Sequence, residues 1–108
     1  MAIMKAFNGL VLCDWHNDHV EVHVSATLCD GTLTLSCFDL GHYVEEVLGD
    51  ADYEYWYVFD RENTEKLFSL IHGEETALLR EFSGEACCRR LRKICKKNKI
   101  EYCFNSYI

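Results

Sequence analysis

Apolar and polar positions alternate on both sides of a central Asp30-Gly31 dipeptide. An Asp-Gly pair suits a type I′ turn, whose two central residues both take a positive φ, and such a turn joins the strands of a hairpin. With this turn, one set of facing pairs is apolar: Leu28 with Leu33, Ala26 with Leu35, and Val24 with Cys37. The other set carries hydroxyl groups: Thr27 with Thr34, and Ser25 with Ser36. The pattern therefore predicts a hairpin with one buried face and one solvent-facing face.

A second hairpin is predicted upstream, with its turn at Asn17 and Asp18. Its apolar facing pairs extend the same buried face: Trp15 with Val20, Cys13 with Val22, and Val11 with Val24. Strands near residues 9–16, 19–28 and 32–38 then form an antiparallel meander, and its apolar face needs a covering layer.

Helical spacing of apolar residues predicts that layer. Helices are expected over residues 41–48, 61–72, 74–82 and 85–97, with Asp39 and Asp60 capping the first two. The aromatic run 53–59 and the segment 100–107 predict further strands. The predicted fold class is α+β: an N-terminal three-stranded antiparallel β-meander packed by three to four helices, with one or two further strands, in the rough order β-β-β-α-β-α-α-β. Because no proline, repeat or linker interrupts residues 1–108, a single globular domain is expected.

Composition narrows the class of protein. A hydrophobic fraction of 49% and an aromatic fraction of 13% exceed those of disordered chains. The N-terminal residues lack the charged start and apolar run of a signal peptide, and no apolar stretch has the length of a membrane span. We therefore expect a cytoplasmic protein that does not bind membranes.

The seven cysteines are predicted to be reduced, because their number is odd and no export signal accompanies them. Five of them are expected in the core: Cys13, Cys37, Cys87, Cys88 and Cys95. The adjacent pair in the last helix is expected to diverge and to make a poor disulfide. Cys29, beside the turn, is predicted to be exposed.

The net charge of −7 hides a division along the chain. Residues 1–88 hold 17 acids and 4 bases, a net of −13, whereas residues 89–108 hold 7 bases and 1 acid, a net of +6. The acidic part disfavours nucleic acid and favours a basic protein partner through long-range attraction.

Acidic and aromatic residues interleave from Glu45 to Glu65, and tyrosine and tryptophan are frequent anchors of protein interfaces. Carboxylates spaced over such a surface can also imitate phosphates to a nucleic-acid-binding partner. The alternative is an ordinary acidic surface over an aromatic core strand. The candidate partner-binding residues are Glu45, Glu46, Asp50, Asp52, Tyr53, Glu54, Tyr55, Trp56, Asp60 and Glu62.

The last predicted helix carries five basic residues opposite its apolar stripe. They are Arg89, Arg92, Lys93, Lys96 and Lys97. Such a stripe binds the phosphates of nucleic acid, or it offsets the acidic part of the same molecule.

The turn between the first two strands offers a weak metal-site candidate. In the predicted register His16 faces His19 and Asp14 faces Glu21, and two imidazoles with two carboxylates are zinc-type ligands. His23 lies about 13 Å along the strand from His19, too far to share one ion. The alternative is a solvated sheet face. No nucleophile with an adjacent base, glycine-rich phosphate loop or cysteine pair with zinc spacing is present, so neither an enzyme nor a cofactor is expected.

These patterns favour a small acidic, non-enzymatic binding protein that acts as a stoichiometric inhibitor of a basic or nucleic-acid-binding partner. In size, acidity and its mixture of hairpins and helices the chain resembles small bacterial immunity proteins and phage-encoded inhibitors. One alternative is a nucleic-acid-binding module that acts through the basic helix. A more remote one is a metal-dependent hydrolase at His16 and His19.

Overall fold

The computed structural model describes residues 5–16, 20–41, 52–84 and 86–107. Within this part of the chain, five antiparallel strands form one sheet whose spatial order follows the chain order. The strands are β1 (Phe7–His16), β2 (Val20–Cys29), β3 (Thr32–Gly41), β4 (Asp52–Phe59) and β5 (Cys103–Tyr107). Three described helices lie between β4 and β5 in the chain: α1 (Arg61–Ile71), α2 (Glu75–Phe82) and α3 (Cys87–Asn98). The α+β class is confirmed.

The predicted β2–β3 hairpin is confirmed pair by pair, from Val24 opposite Cys37 to Cys29 opposite Thr32. Asp30 and Gly31 both take positive φ, at 51° and 80°. The turn also receives a hydrogen bond, because the Arg61 guanidinium donates to the Asp30 carbonyl at 2.9 Å. A Cβ at Gly31 would lie 2.7 Å from that guanidinium, which a flexible arginine can move away, so it is the positive φ that favours glycine here.

The predicted β1–β2 register is wrong by two residues near the turn. Trp15 lies opposite Val22 and Cys13 opposite Val24, because the ladder closes on His16 and Glu21 and leaves four residues between them. A shift of two keeps each side chain on its predicted face. Further along, the register shifts again around Leu12, so that Val11 lies opposite Ser25. This bulge buries two successive residues, Leu12 and Cys13.

Both later strands join the meander, β4 beside β3 and β5 beside β4. The predicted helix over residues 41–48 falls mostly outside the described residues, and Gly41 itself belongs to β3, opposite Val20. The strand predicted over 100–107 begins only at Cys103, because the backbone N–H of Ile100 still bonds to Cys95 at the end of α3. The described element order is β-β-β-β-α-α-α-β.

The helices cover one face of the sheet, and the core lies between the two layers. Inward-facing strand residues such as Leu28, Leu35 and Phe59 pack with Leu78 and Leu91 from the helices, and all five are at most 1% exposed. At about 25 cal/mol for each Å² of apolar surface removed from water, this layer is the main source of stability.

Asp60 caps α1 as predicted. Its carboxylate accepts hydrogen bonds from the backbone N–H and the side-chain amide of Asn63, at 2.9 and 3.0 Å. The backbone bond, followed by the side-chain bond, holds the pKa of Asp60 below its usual value.

The stabilising effect of the Asp60 charge is expected to depend on pH. Because the folded-state pKa lies below the unfolded one, the contribution is fully present above the unfolded value of about 3.9 and is lost as pH falls through the folded value. Asp60→Asn retains a capping oxygen without the charge. Urea unfolding of both proteins from neutral to acidic pH should show wild type more stable near neutrality and the difference shrinking in acid. A difference that grows in acid would contradict this cause.

Candidate functional site

The face of the sheet opposite the described helices carries a groove of about 460 Å³. Its shape follows from two neighbouring rows of side chains that run across β1, β2, β3 and β4. The first row consists of Val11, Ser25, Ser36 and Trp56. The second row consists of Asp14, His23, Phe38 and Glu54. We call this surface the open face. The two serines are small and lie between two larger side chains, so the middle of the first row is a depression.

The groove combines apolar walls with negative charge at its ends. Val11 is 57% exposed at one end of the first row, and Trp56 is half-buried at the other. In the second row, the carboxylates of Asp14 and Glu54 lie on either side of His23 and Phe38. Aromatic surface beside carboxylates suits a cationic side chain, which gains both apolar contact and an ion pair.

His23 is held between two carboxylates at one end of the groove. Its Nδ1 lies 2.9 Å from Asp14 Oδ1, and its Nε2 lies 3.4 Å from Glu21 Oε2. The His23 and Phe38 rings are 6.5 Å apart between centroids. These contacts fix the imidazole beside the aromatic part of the groove. The sequence had predicted Asp14 to face Glu21 instead.

The predicted histidine pair is corrected by the register. His16 lies opposite Glu21, not His19, and Asp14 lies opposite His23, not Glu21. His19 is outside the described residues. Within the described ranges, no group of three histidine, cysteine or acidic side chains is arranged to hold a metal ion.

The alternation of β4 divides the predicted acidic and aromatic surface between the two faces. Glu54 and Trp56 line the groove. Tyr53 and Tyr55 point to the helix side with their rings stacked 5.0 Å apart, and Tyr57 beside them is buried.

The remaining residues of that prediction lie elsewhere. Asp60 caps α1, and Glu62 is exposed in the first turn of the same helix. Asp52 is the first residue of β4, while Glu45, Glu46 and Asp50 lie outside the described residues.

The predicted basic stripe lies along α3, and all five of its side chains are exposed. Arg92 differs from the rest, because its guanidinium donates a 2.8 Å hydrogen bond to the hydroxyl of Tyr57. Burial raises the pKa of Tyr57 to about 12, although the bond from Arg92 acts in the opposite direction. Arg92 therefore ties α3 to β4, and four predicted bases remain directed to solvent: Arg89, Lys93, Lys96 and Lys97.

A cluster of three buried thiols at the helix–sheet contact was not predicted from the sequence. The Sγ atom of Cys88, in the first turn of α3, lies 3.6 Å from that of Cys37 on β3 and 3.8 Å from that of Cys87. The burial of each cysteine was predicted correctly. Their contact was not, because alternation and helical spacing do not say where a helix rests on a sheet. The expectation that Cys87 and Cys88 diverge does not fit the separation of their sulfur atoms.

The pKa values of the three thiols are shifted in different directions. Hydrogen bonds from Cys37 and then Cys87, together with the positive charge of Arg92, lower the pKa of Cys88 despite its burial. The bond to Cys88 raises the pKa of Cys37 and of Cys87, and burial acts in the same direction. These neighbours therefore favour the thiolate form of Cys88.

Comparisons with known protein families, with curated proteins and with solved structures found no match. None of the described helices is long and apolar enough to cross a membrane.

Proposed function

We propose that this chain is a non-enzymatic binding protein that captures a basic segment of a partner protein on its open face and acts as a stoichiometric inhibitor of that partner. The groove carries the proposal, because Trp56 and Phe38 supply apolar surface while Asp14 and Glu54 supply negative charge within one concave site. An arginine or lysine side chain of the partner would lie along the aromatic surface and place its charge near a carboxylate.

The charge of the chain supports a basic partner. Residues 1–88 carry a net charge of −13, which attracts a positively charged protein over a distance and speeds encounter at low salt. Carboxylates on a rigid sheet also offer such a partner a substitute for nucleic-acid phosphates. A partner that normally binds nucleic acid would then be blocked by competition, with one inhibitor bound for each site. We expect this to occur in the cytoplasm, where thiols remain reduced.

Affinity capture from native cell extract tests the proposal, with the wild-type chain and variants as bait at low and high salt. Trp56→Ala is expected to weaken binding of the captured basic protein by at least about 10-fold, as expected for an aromatic hot spot. Glu54→Lys should weaken binding more at low salt than at high salt, because it replaces attraction by repulsion. Calorimetry with the purified partner should give one inhibitor for each partner site.

Matched controls lie away from the open face. Phe104→Ala removes an aromatic residue that is 50% exposed and lies opposite Tyr57 on the helix side. Glu65→Lys reverses an exposed charge on α1. Both should retain binding, with folding verified by circular dichroism. If Trp56→Ala binds as well as wild type, the open face is not the binding surface.

The second candidate is a nucleic-acid-binding module that acts through α3. It is favoured by the four solvent-directed bases on that helix, none of which forms an ion pair within the described part of the chain. Reversing Arg89, Lys93 and Lys96 to glutamate should abolish a gel shift of DNA or RNA if this candidate is correct. The same variant should capture the basic partner unchanged if the first proposal is correct.

A further inference from the structure

The buried thiols of Cys37 and Cys88 are close enough to react with each other, and the proposed binding groove does not involve them. Cys37 and Cys88 approach from two different elements, β3 and α3, and stand 51 residues apart in the chain. Their sulfur atoms are 3.6 Å apart, so forming a bond of about 2.04 Å shortens that distance by about 1.6 Å. Cys37 is 3% exposed and Cys88 is 8% exposed.

We propose that Cys37 and Cys88 form a redox-responsive site that closes to an intramolecular disulfide when the protein meets a peroxide. Cys88 is the nucleophile, since it is the most exposed member of the cluster and its sulfur lies within 3.8 Å of both other sulfurs. Cys37 is the resolving thiol, because its sulfur is in van der Waals contact with that of Cys88. The lowered pKa of Cys88 supports the same assignment.

The reaction balances in two steps. The Cys88 thiolate attacks one oxygen of hydrogen peroxide, the O–O bond breaks, and a sulfenic acid forms while hydroxide leaves. The Cys37 sulfur then attacks the Cys88 sulfur, the S–S bond forms, the S–O bond breaks, and the departing hydroxide takes up the thiol proton as water. Overall, two thiols lose two electrons and one peroxide molecule becomes two water molecules. A dithiol reductant reverses the change.

Peptide mapping of the full chain after treatment with hydrogen peroxide tests the proposal. The background variant carries Cys29→Ser and Cys103→Ser, which removes the two exposed cysteines of the described residues. Non-reducing digestion should yield a Cys37–Cys88 linked peptide, and the number of free thiols should fall from five to three. Cys37→Ser should lose the linked peptide and leave a sulfenic acid at Cys88 that dimedone traps. Cys88→Ser should lose both.

The matched control is Cys95→Ser, which removes another buried thiol from α3 and should leave the linked peptide unchanged. Circular dichroism before and after treatment establishes that each protein is folded. Three outcomes would overturn the proposal: a disulfide between Cys87 and Cys88, detected as the loss of two hydrogens from the single peptide that holds both, dimedone labelling confined to other cysteines, or retention of all five thiols under conditions that oxidise free glutathione.

Discussion

Replacing Phe59 with alanine is expected to lower the free energy of unfolding by about 3–5 kcal/mol, as found for large aromatic truncations in packed cores. Phe59 has no exposed surface, lies opposite Leu33 in the ladder, and contacts the ring of Tyr102 at 5.4 Å between centroids. Its removal leaves a cavity where the helix layer meets the end of β4. Urea denaturation monitored by tryptophan fluorescence should show a lower midpoint with an unchanged slope.

The neighbouring residue provides a control for the assignment of the two faces. Val58 lies opposite Thr34, on the open face, and is half-buried. Val58→Ala is expected to lower the free energy of unfolding by about 1 kcal/mol. The change alters the strand propensity at this position but opens no cavity in the core. Equal losses at the two positions would mean that β4 does not present one face to the helices and the other to solvent.

The β2–β3 hairpin could be predicted to the residue because two independent signals agree. Asp30 and Gly31 restrict the turn to one type, and that turn sets the register of both strands. The resulting register places apolar residues opposite apolar residues along the whole ladder. A register off by one would have placed Leu33 and Leu35 on the solvent-facing side, at a large cost in burial.

The β1–β2 register could not be predicted in the same way. Apolar alternation is present in both strands, but no Asp-Gly turn fixes how they pair. Alternation distinguishes the two faces but does not distinguish registers that differ by two residues. Trp15 is therefore on the predicted face and beside the wrong partner. The bulge that buries both Leu12 and Cys13 breaks the period of two, so no strict alternation predicts it.

The candidate site was partly present in the sequence prediction. The Ser25 and Ser36 pair was predicted on the solvent-facing side, and these two small residues form the depression of the groove. What could not be predicted was that β4 pairs with β3, which places Trp56 beside Ser36. Sequence proximity grouped Trp56 with Tyr55, although alternation along a strand directs them to opposite faces.

The sheet thus separates two kinds of chemistry. The open face carries the groove and its carboxylates, whereas the helix side carries the thiols and the tyrosines, with Arg92 reaching the hydroxyl of Tyr57. β3 takes part in both, since Cys37 lies between Ser36 and Phe38 in the chain and points the opposite way. The two proposals therefore concern opposite faces of one strand and can be tested with separate variants.

Thr64→Val is expected to destabilise the protein although it removes no apolar contact. Thr64 is fully buried, and its hydroxyl accepts a hydrogen bond from the Leu33 N–H at 3.2 Å and donates one to the Phe59 carbonyl at 3.1 Å. The hydroxyl thereby connects the buried face of α1 to the start of β3 and the end of β4. Valine has nearly the same shape and neither hydrogen bond. Loss of the two hydrogen bonds together should cost about 1–3 kcal/mol, measured as the loss of free energy of unfolding in urea.

Thr64→Ser separates this effect from packing, because serine keeps the hydroxyl and loses one methyl group. Removing that methyl should cost about 1 kcal/mol, so the serine variant is expected to be the more stable of the two. The opposite order, with valine better tolerated than serine, would show that packing at this position outweighs the two hydrogen bonds. In that case apolar contact alone would hold the junction of α1 with β3 and β4. The position of α1 on the sheet would then depend on Leu67 and Phe68 rather than on Thr64.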